Sequence, residues 1–168
     1  GHQKIIERLI YQSSNIQTEP TIMSFSPHPR QFFSGKYNNF TIISDAQKIN
    51  LLKKLGIKHY IVLSFDKSIA ALAPEEFIEI ILVNKLKIKN LVVGYDFKFG
   101  KDRKGDVALL KKKSLIYNFT IHVLEQVKFN ETSEIFSSSL IRTNIQEGNF
   151  KKVNLCLGRN WSMEGTVI

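Results

Sequence analysis

Apolar positions recur along the chain in two rhythms. Ile5, Ile6, Leu9 and Ile10 share one face at helical spacing, so a helix is expected from the opening residues. Thr21 to Phe25 is a β-rich run that stops at Pro27-His28-Pro29, a breaker expected to lead into a polar loop. Ser44 stands three residues before Gln47, the spacing of a capping box, and Ile49, Leu52 and Leu55 carry a helical face as far as Gly56. His59 to Phe65 reads as the second strand. Pro74 suits the first position of a helix through Leu86, with Phe77, Ile80 and Ile81 turned inward. Asn90 to Val93 is the third strand, a basic loop runs from Lys98 to Lys104, a helix covers about Asp106 to Tyr117, and Phe119 to Val123 is the fourth strand. Ser137 to Gln146 and Asn149 to Leu157 are the last helices, followed by a break at Gly158-Arg159 and a strand-like run from Trp161 to Ile168.

Short strands alternating with helices are the mark of crossover units on a parallel sheet, so the class is α/β with helices on both faces. At 168 residues, 43% of them hydrophobic and 12 of them Phe, the chain suits one packed domain and not a disordered tail. The excess of 24 basic over 15 acidic residues, +9, favours anionic partners such as nucleotides, nucleic acid or acidic lipid. A composition rich in Lys, Ile and Asn yields the same excess through drift alone. The single cysteine, Cys156, excludes an internal disulfide or a Cys-based metal site and points to a reducing cytoplasm. The apolar run from Phe77 to Val83 is broken by Glu79 and falls far short of the roughly 20 residues a bilayer requires, so no membrane span is expected.

In an open parallel sheet, ligands bind beyond the carboxyl ends of the strands, which directs attention to the segments that follow them. Ser137 to Arg142 sets successive hydroxyls at a helix start, where unpaired N–H groups favour an anion. Arg142 returns to the face of Ser138 and is able to fork onto a phosphate. A serine-capped helix with a surface arginine explains the same residues. Gly94 to Gly100 follows a strand, with glycines at both ends and alternating aromatics; Asp96 would be an acceptor there, or the segment is a turn with core phenylalanines. Pro27 and Pro29 hold His28 in a rigid turn, and His2 opens the first helix, where a neutral ring suits a phosphate better than imidazolium does. His59 and His122 read as ordinary strand residues, and no metal-ligand spacing joins the four histidines. Gly100 to Gly105 has the glycine spacing of a Walker loop, but Asp106-Val107 stand where Lys-Ser/Thr is required. There is also no GxGxxG after a strand.

The order and spacing of these segments resemble the bacterial bifunctional riboflavin kinase/FMN adenylyltransferases, also called FAD synthetases. Gly1-His2-Gln3 is similar to the tail of that family's HxGH signature, Phe25 to Pro29 to its FxPHP segment, Gly94 to Gly100 to its GxDFxFG segment and Ser137 to Arg142 to its SSTxIR segment. Leu157-Gly158-Arg159 with Gly165-Thr166-Val167 is similar to the junction into the riboflavin kinase barrel. Where the family carries Thr, this chain has Ser139, which keeps the hydroxyl.

The resemblance implies a Rossmann-like nucleotidyltransferase of the HxGH superfamily over residues 1–157, lacking its first strand and the first histidine of the signature. Residues 158–168 would then be the linker and opening strand of a kinase barrel. It implies transfer of AMP from ATP to FMN, giving FAD and pyrophosphate, with Mg²⁺ accompanying the nucleotide and no protein metal site. His2 and Arg142 would act on the phosphates, with Ser138, Ser139 and Asp96 completing the ATP site. Pro27, His28, Pro29 and Phe97 would border the flavin. The expected partners are ATP and FMN, without membrane or nucleic acid. A related adenylyl- or cytidylyltransferase with another phosphorylated acceptor, or a basic nucleotide- or RNA-binding module, is the alternative. The missing upstream strand would be central, so the chain by itself is expected to be compromised in folding and turnover.

Overall fold

The computed structural model describes residues 2–35, 41–125 and 137–163. They fall into two compact units, one drawn from residues 2–35 and 56–125, the other from 41–55 and 137–163.

The larger unit opens with α1 (His2–Asn15), whose Ile6 is buried while Ile5, Leu9 and Ile10 are half-buried, as their shared face predicts. Strand β1 (Thr21–Ser26) leads into α2 (Pro29–Ser34), and β2 (His59–Ser64) into α4 (Lys67–Ala71). A helix α5 (Pro74–Glu76) continues as a π-helical stretch, Phe77–Lys85, before β3 (Asn90–Gly94). A 3₁₀ turn at Lys101–Arg103, α6 (Val107–Tyr117) and β4 (Thr120–Leu124) complete this unit. The other unit contains α3 (Asp45–Lys54), α7 (Ser138–Gln146) and α8 (Phe150–Leu157), with α7 packed on α8.

Both strand pairs are parallel, in register from Thr21↔His59 to Ser26↔Ser64 and from Asn90↔Thr120 to Gly94↔Leu124. They form two two-stranded sheets and not the single sheet expected, so each strand has an edge without a hydrogen-bonded neighbour among the described residues. One core nevertheless serves both pairs. Phe77, Ile78, Ile81, Leu82, Val93, Phe99, Leu110 and Phe119 form its buried centre. Met23, Phe25 and Leu63 from one pair and Leu91, Ile121 and Val123 from the other pack against it.

Several sequence expectations need correction. The segment after Pro27-His28-Pro29 begins with a helix, because Pro29 takes the first helical position and His28 caps it. Helix α4 was not anticipated; Asp66 starts it by accepting from the N–H groups of Ser68 and Ile69. In the helix after Pro74 the inward residues are Phe77, Ile78, Ile81 and Leu82, while Ile80 is 39% exposed. The buried face is therefore centred between Phe77 and Leu82 and turned away from Ile80, and the stretch closes with a wide turn in which Leu86 N–H donates to Ile81 C=O at 3.0 Å, five residues back. In α3 only Leu52 is buried, and Ile49 and Leu55 are exposed, because an apolar face is buried only where its unit offers a packing surface. Residues 161–163 form no strand, and 164–168 lie outside the described residues.

His122 on β4 is more constrained than an ordinary strand residue. Its Nε2 is buried and has no hydrogen-bond partner, and its pKa is lowered, first by burial and then by the Arg8 charge. A folded state that resists protonation loses stability as pH falls below the ordinary value of 6.5, because the unfolded chain then binds a proton that the folded chain refuses. Replacing His122 with Leu removes both the unpaired atom and the titration. Urea unfolding at pH 7.5 and 5.5 should show the variant's advantage widening at the lower pH, and an unchanged difference would contradict this.

Candidate active site

The turn after β1 is set by local hydrogen bonds. His28 Nδ1 accepts from the Arg30 N–H at 3.1 Å, and the His28 N–H donates to Gln31 Oε1 at 3.1 Å. An accepting Nδ1 assigns the neutral ring's proton to Nε2, so His28 is held as one tautomer. Ser26-Pro27 is a cis peptide, Pro27 and Pro29 are half-buried, and His28 is exposed.

Aromatic rings gather beside this turn, an arrangement the sequence reading missed. Phe32, Phe33 and Phe65 meet edge to face at 5.3–5.9 Å, and Phe65 also meets Phe25 at 5.3 Å. Phe33 is 70% exposed, so this cluster presents a ring at the carboxyl ends of β1 and β2. The signal lay in the register. Phe25 pairs with Leu63, which places Phe65 just beyond the end of β1, and Phe32 and Phe33 follow the turn by one helical turn.

After β3, Asp96 is exposed in the turn that Phe97 N–H closes onto Gly94 C=O at 3.1 Å. Phe97 is half-buried and stacks on Phe99, centroids 5.5 Å apart, and Phe99 in turn packs on Phe77. The glycines of this region serve the fold. A Cβ on Gly100 would lie 2.7 Å from Pro74 Cα, and one on Gly105 would lie 2.7 Å from the Phe99 ring. Phe99 and Gly105 exchange backbone hydrogen bonds, and Lys101 N–H donates to Leu72 C=O at 2.7 Å. The Gly100 to Gly105 stretch is thus a closed turn seated on Leu72 and Pro74. Lys98 pairs with Asp106 at 3.3 Å; the Asp106 carboxyl is held below its usual range, first by the Leu109 N–H and then by Lys98.

His2 opens α1, which packs on β3. A 14-residue helix rises about 21 Å and a six-residue strand about 20 Å. Helix α1 leads into the amino end of β1 through residues 16–20, and His2 stands at the far end of the helix. The residue is solvent-exposed by surface area, yet the protein around it still desolvates imidazolium, and its pKa is lowered, by burial first and by the chain's amino terminus second. A neutral ring results at pH 7.

Ser138, Ser139 and Arg142 belong to the other unit. Ser137 is the N-cap of α7, accepting from the Leu140 N–H at 3.1 Å, so the cap does not consume the hydroxyls of Ser138 and Ser139. Ser138 and Arg142 are half-buried four residues apart, while Ser139 is exposed. Asn144, buried, anchors the helix by donating to Leu140 C=O at 2.8 Å, and Ile141 faces inward. The capped helix and the phosphate-facing first turn are therefore compatible readings.

The larger unit is an α/β domain of parallel strand pairs, in which His28 follows β1, Phe65 follows β2 and Asp96 follows β3. The FAD synthetase family matches residues 1–140, and the chain belongs to that family. Across its whole length it is 32% identical to the bifunctional riboflavin kinase/FMN adenylyltransferase of Buchnera aphidicola subsp. Schizaphis graminum. It is 29% identical to the protein of that name from Escherichia coli K12. The chain spans about half the length of these relatives, 54% and 53%. Among solved structures, a Streptococcus pneumoniae protein titled a macrolide-efflux protein superposes with a TM-score of 0.82 at 23% identity. That match covers 96% of this chain and 60% of the other, and it speaks to the fold alone. No described helix is long and apolar enough to cross a membrane.

Proposed function

We propose that this chain carries the adenylyltransferase portion of a bifunctional riboflavin kinase/FMN adenylyltransferase, a nucleotidyltransferase of the HxGH type. The family match over residues 1–140 carries the reading. In the reaction an FMN phosphate oxygen attacks the α-phosphorus of ATP, the bond to the β-phosphate oxygen breaks, and FAD and pyrophosphate leave. Such a step needs alignment and charge neutralisation more than a covalent partner.

Arg142, with the hydroxyls and first-turn N–H groups at Ser138 and Ser139, would hold the ATP phosphates and stabilise the departing pyrophosphate. A neutral His2 suits donation to a phosphate oxygen through one ring N–H. Asp96 would take a nucleotide hydroxyl or amine. Pro27, His28 and Pro29 would border the flavin, and the exposed Phe33 ring with Phe32 and Phe65 offers a planar ligand an apolar face. Phe97 would border the flavin with the face that Phe99 leaves uncovered. No three His, Cys, Asp or Glu side chains cluster as a metal site among the described residues. Mg²⁺ would arrive with ATP, whose phosphates supply much of its coordination. The unpaired strand edges fit a further parallel strand from upstream sequence, and the region after α8 would lead into the kinase barrel. The single cysteine fits a cytoplasmic location.

The test is FAD formation from FMN and Mg·ATP, comparing this chain with one extended by the upstream segment and its first histidine. Activity in the extended chain, with FMN preferred over other phosphorylated acceptors, is the expected result. A folded extended chain that turns over another acceptor, or that binds polyanions without releasing pyrophosphate, would overturn the proposal.

A further inference from the structure

The segment that follows α8 has the composition of a loose connector, yet it is tied down at every residue from Arg159 to Trp161 and on into Ser162. Gly158 ends α8 in the left-handed conformation, and Arg159 N–H donates back to Asn154 C=O at 3.2 Å. The Asn154 side chain then grips the segment twice: its Oδ1 accepts from the Trp161 N–H at 2.7 Å, and its Nδ2 donates to Asn160 Oδ1 at 3.3 Å. The Trp161 ring lies flat on Phe150, with centroids 5.6 Å apart and planes 8° from parallel.

The same few residues also reach a distant part of the chain. Trp161 Nε1 donates to Ile42 C=O at 2.8 Å, across 119 residues of sequence. Gln47 Nε2 donates to the Ser162 carbonyl at 3.3 Å and to its hydroxyl at 3.2 Å. Gln47 is at the same time half of the capping box of α3: its Oε1 accepts from the Ser44 N–H, and its own N–H donates to Ser44 Oγ, both at 3.1 Å. One amide therefore caps the helix with its oxygen and holds the connector with its nitrogen.

We propose that Arg159 to Ser162 form a strap, pinned by Trp161 and buttoned by Gln47, whose fastening couples residues 41–47 to the chain that leaves α8. Fastened, the strap gives the polypeptide beyond Met163 a fixed point of departure in place of a free swivel. Released, it frees the residues ahead of α3 at the same moment, because Ile42 C=O and the Gln47 amide lose their partners together. The proposal concerns a conformational device and holds whether or not the chain transfers AMP.

Two conservative variants separate the strap from general stability. Trp161→Phe keeps a ring on Phe150 and deletes the donor to Ile42. Gln47→Glu keeps the capping oxygen and replaces the donor to Ser162 with a carboxylate oxygen that repels its carbonyl. Hydrogen exchange on the full chain is the measurement. Trp161→Phe should speed exchange about fivefold in both 41–47 and 159–163, the loss expected from one hydrogen bond. Gln47→Glu should speed 159–163 to a similar degree while the first turn of α3 stays protected. The strap is refuted if Trp161→Phe leaves 41–47 at the wild-type rate, or if the β-strand peptides speed up equally, which would make the effect global.

Discussion

Replacing Arg142 with alanine is expected to lower kcat/KM for Mg·ATP by about 10²–10³-fold, the range seen when one donor to developing charge is removed. The residue occupies the first turns of a helix whose cap is already supplied by Ser137, so its loss should leave α7 folded. The proposed contact is with phosphate alone, which predicts little change in FMN binding measured by quenching of flavin fluorescence. Arg142→Lys should restore only part of the rate, because a point charge replaces a fork that matches two phosphate oxygens. Equal losses in nucleotide use and flavin binding, in a variant with wild-type circular dichroism, would remove Arg142 from the phosphate site.

The second large effect concerns stability. Gly100 has φ of 71°, and a Cβ there would sit 2.7 Å from Pro74 Cα and 2.8 Å from Pro74 N. Those are backbone atoms at the start of a core helix, with no flexible end to swing aside. Gly100→Ala should therefore cost about 2–4 kcal/mol, combining a backbone conformation, φ 71° and ψ 179°, that is open essentially to glycine alone with displacement of α5. Gly35 provides the comparison. Its φ is 64° but nothing lies within 4 Å of a built Cβ, so Gly35→Ala should cost only about 1 kcal/mol. Denaturant midpoints for the two variants measure by difference what the contact with Pro74 and the extended positive-φ backbone of Gly100 add together, and similar values would contradict the expected cost.

Local rules were the most legible part of the fold. The Ser44 and Gln47 capping box, Pro74 at a helix start and the serine cap of the Ser137 helix each depend on residues close in sequence, and each appears as expected. The short helices α2 and α4 carried the same signals, a Pro29 at the first position and an Asp66 cap, but their apolar residues are too few for a periodic face. Long-range consequences were hidden. Nothing within the run from Phe77 to Lys85 announces a π-helical turn, and its buried residues share a core with Val93 and Leu110, which lie far along the sequence. The division of the strands into two pairs also escaped a reading by segments, since edges are properties of the assembled sheet.

The candidate site divides along the same line. His28, Asp96 and Arg142 could be singled out because turns after strands and a hydroxyl-rich helix start are sequence features. The Phe32, Phe33 and Phe65 cluster required the β1 and β2 register, and the partner of Trp161 required folding 119 residues back on themselves. The pKa of His2 is likewise a property of its surroundings, since the letter H carries no record of how much protein desolvates the ring.

The most direct test of the account follows the isotope. The chain, extended by the upstream strand and histidine that the family resemblance implies, would be supplied with FMN and Mg·ATP labelled with ³²P at either the α- or the γ-phosphate, and the products separated. Adenylyl transfer predicts α-label in FAD and γ-label in pyrophosphate. Label from the γ-phosphate in a flavin product, or no label in any flavin from a folded extended chain, would contradict it.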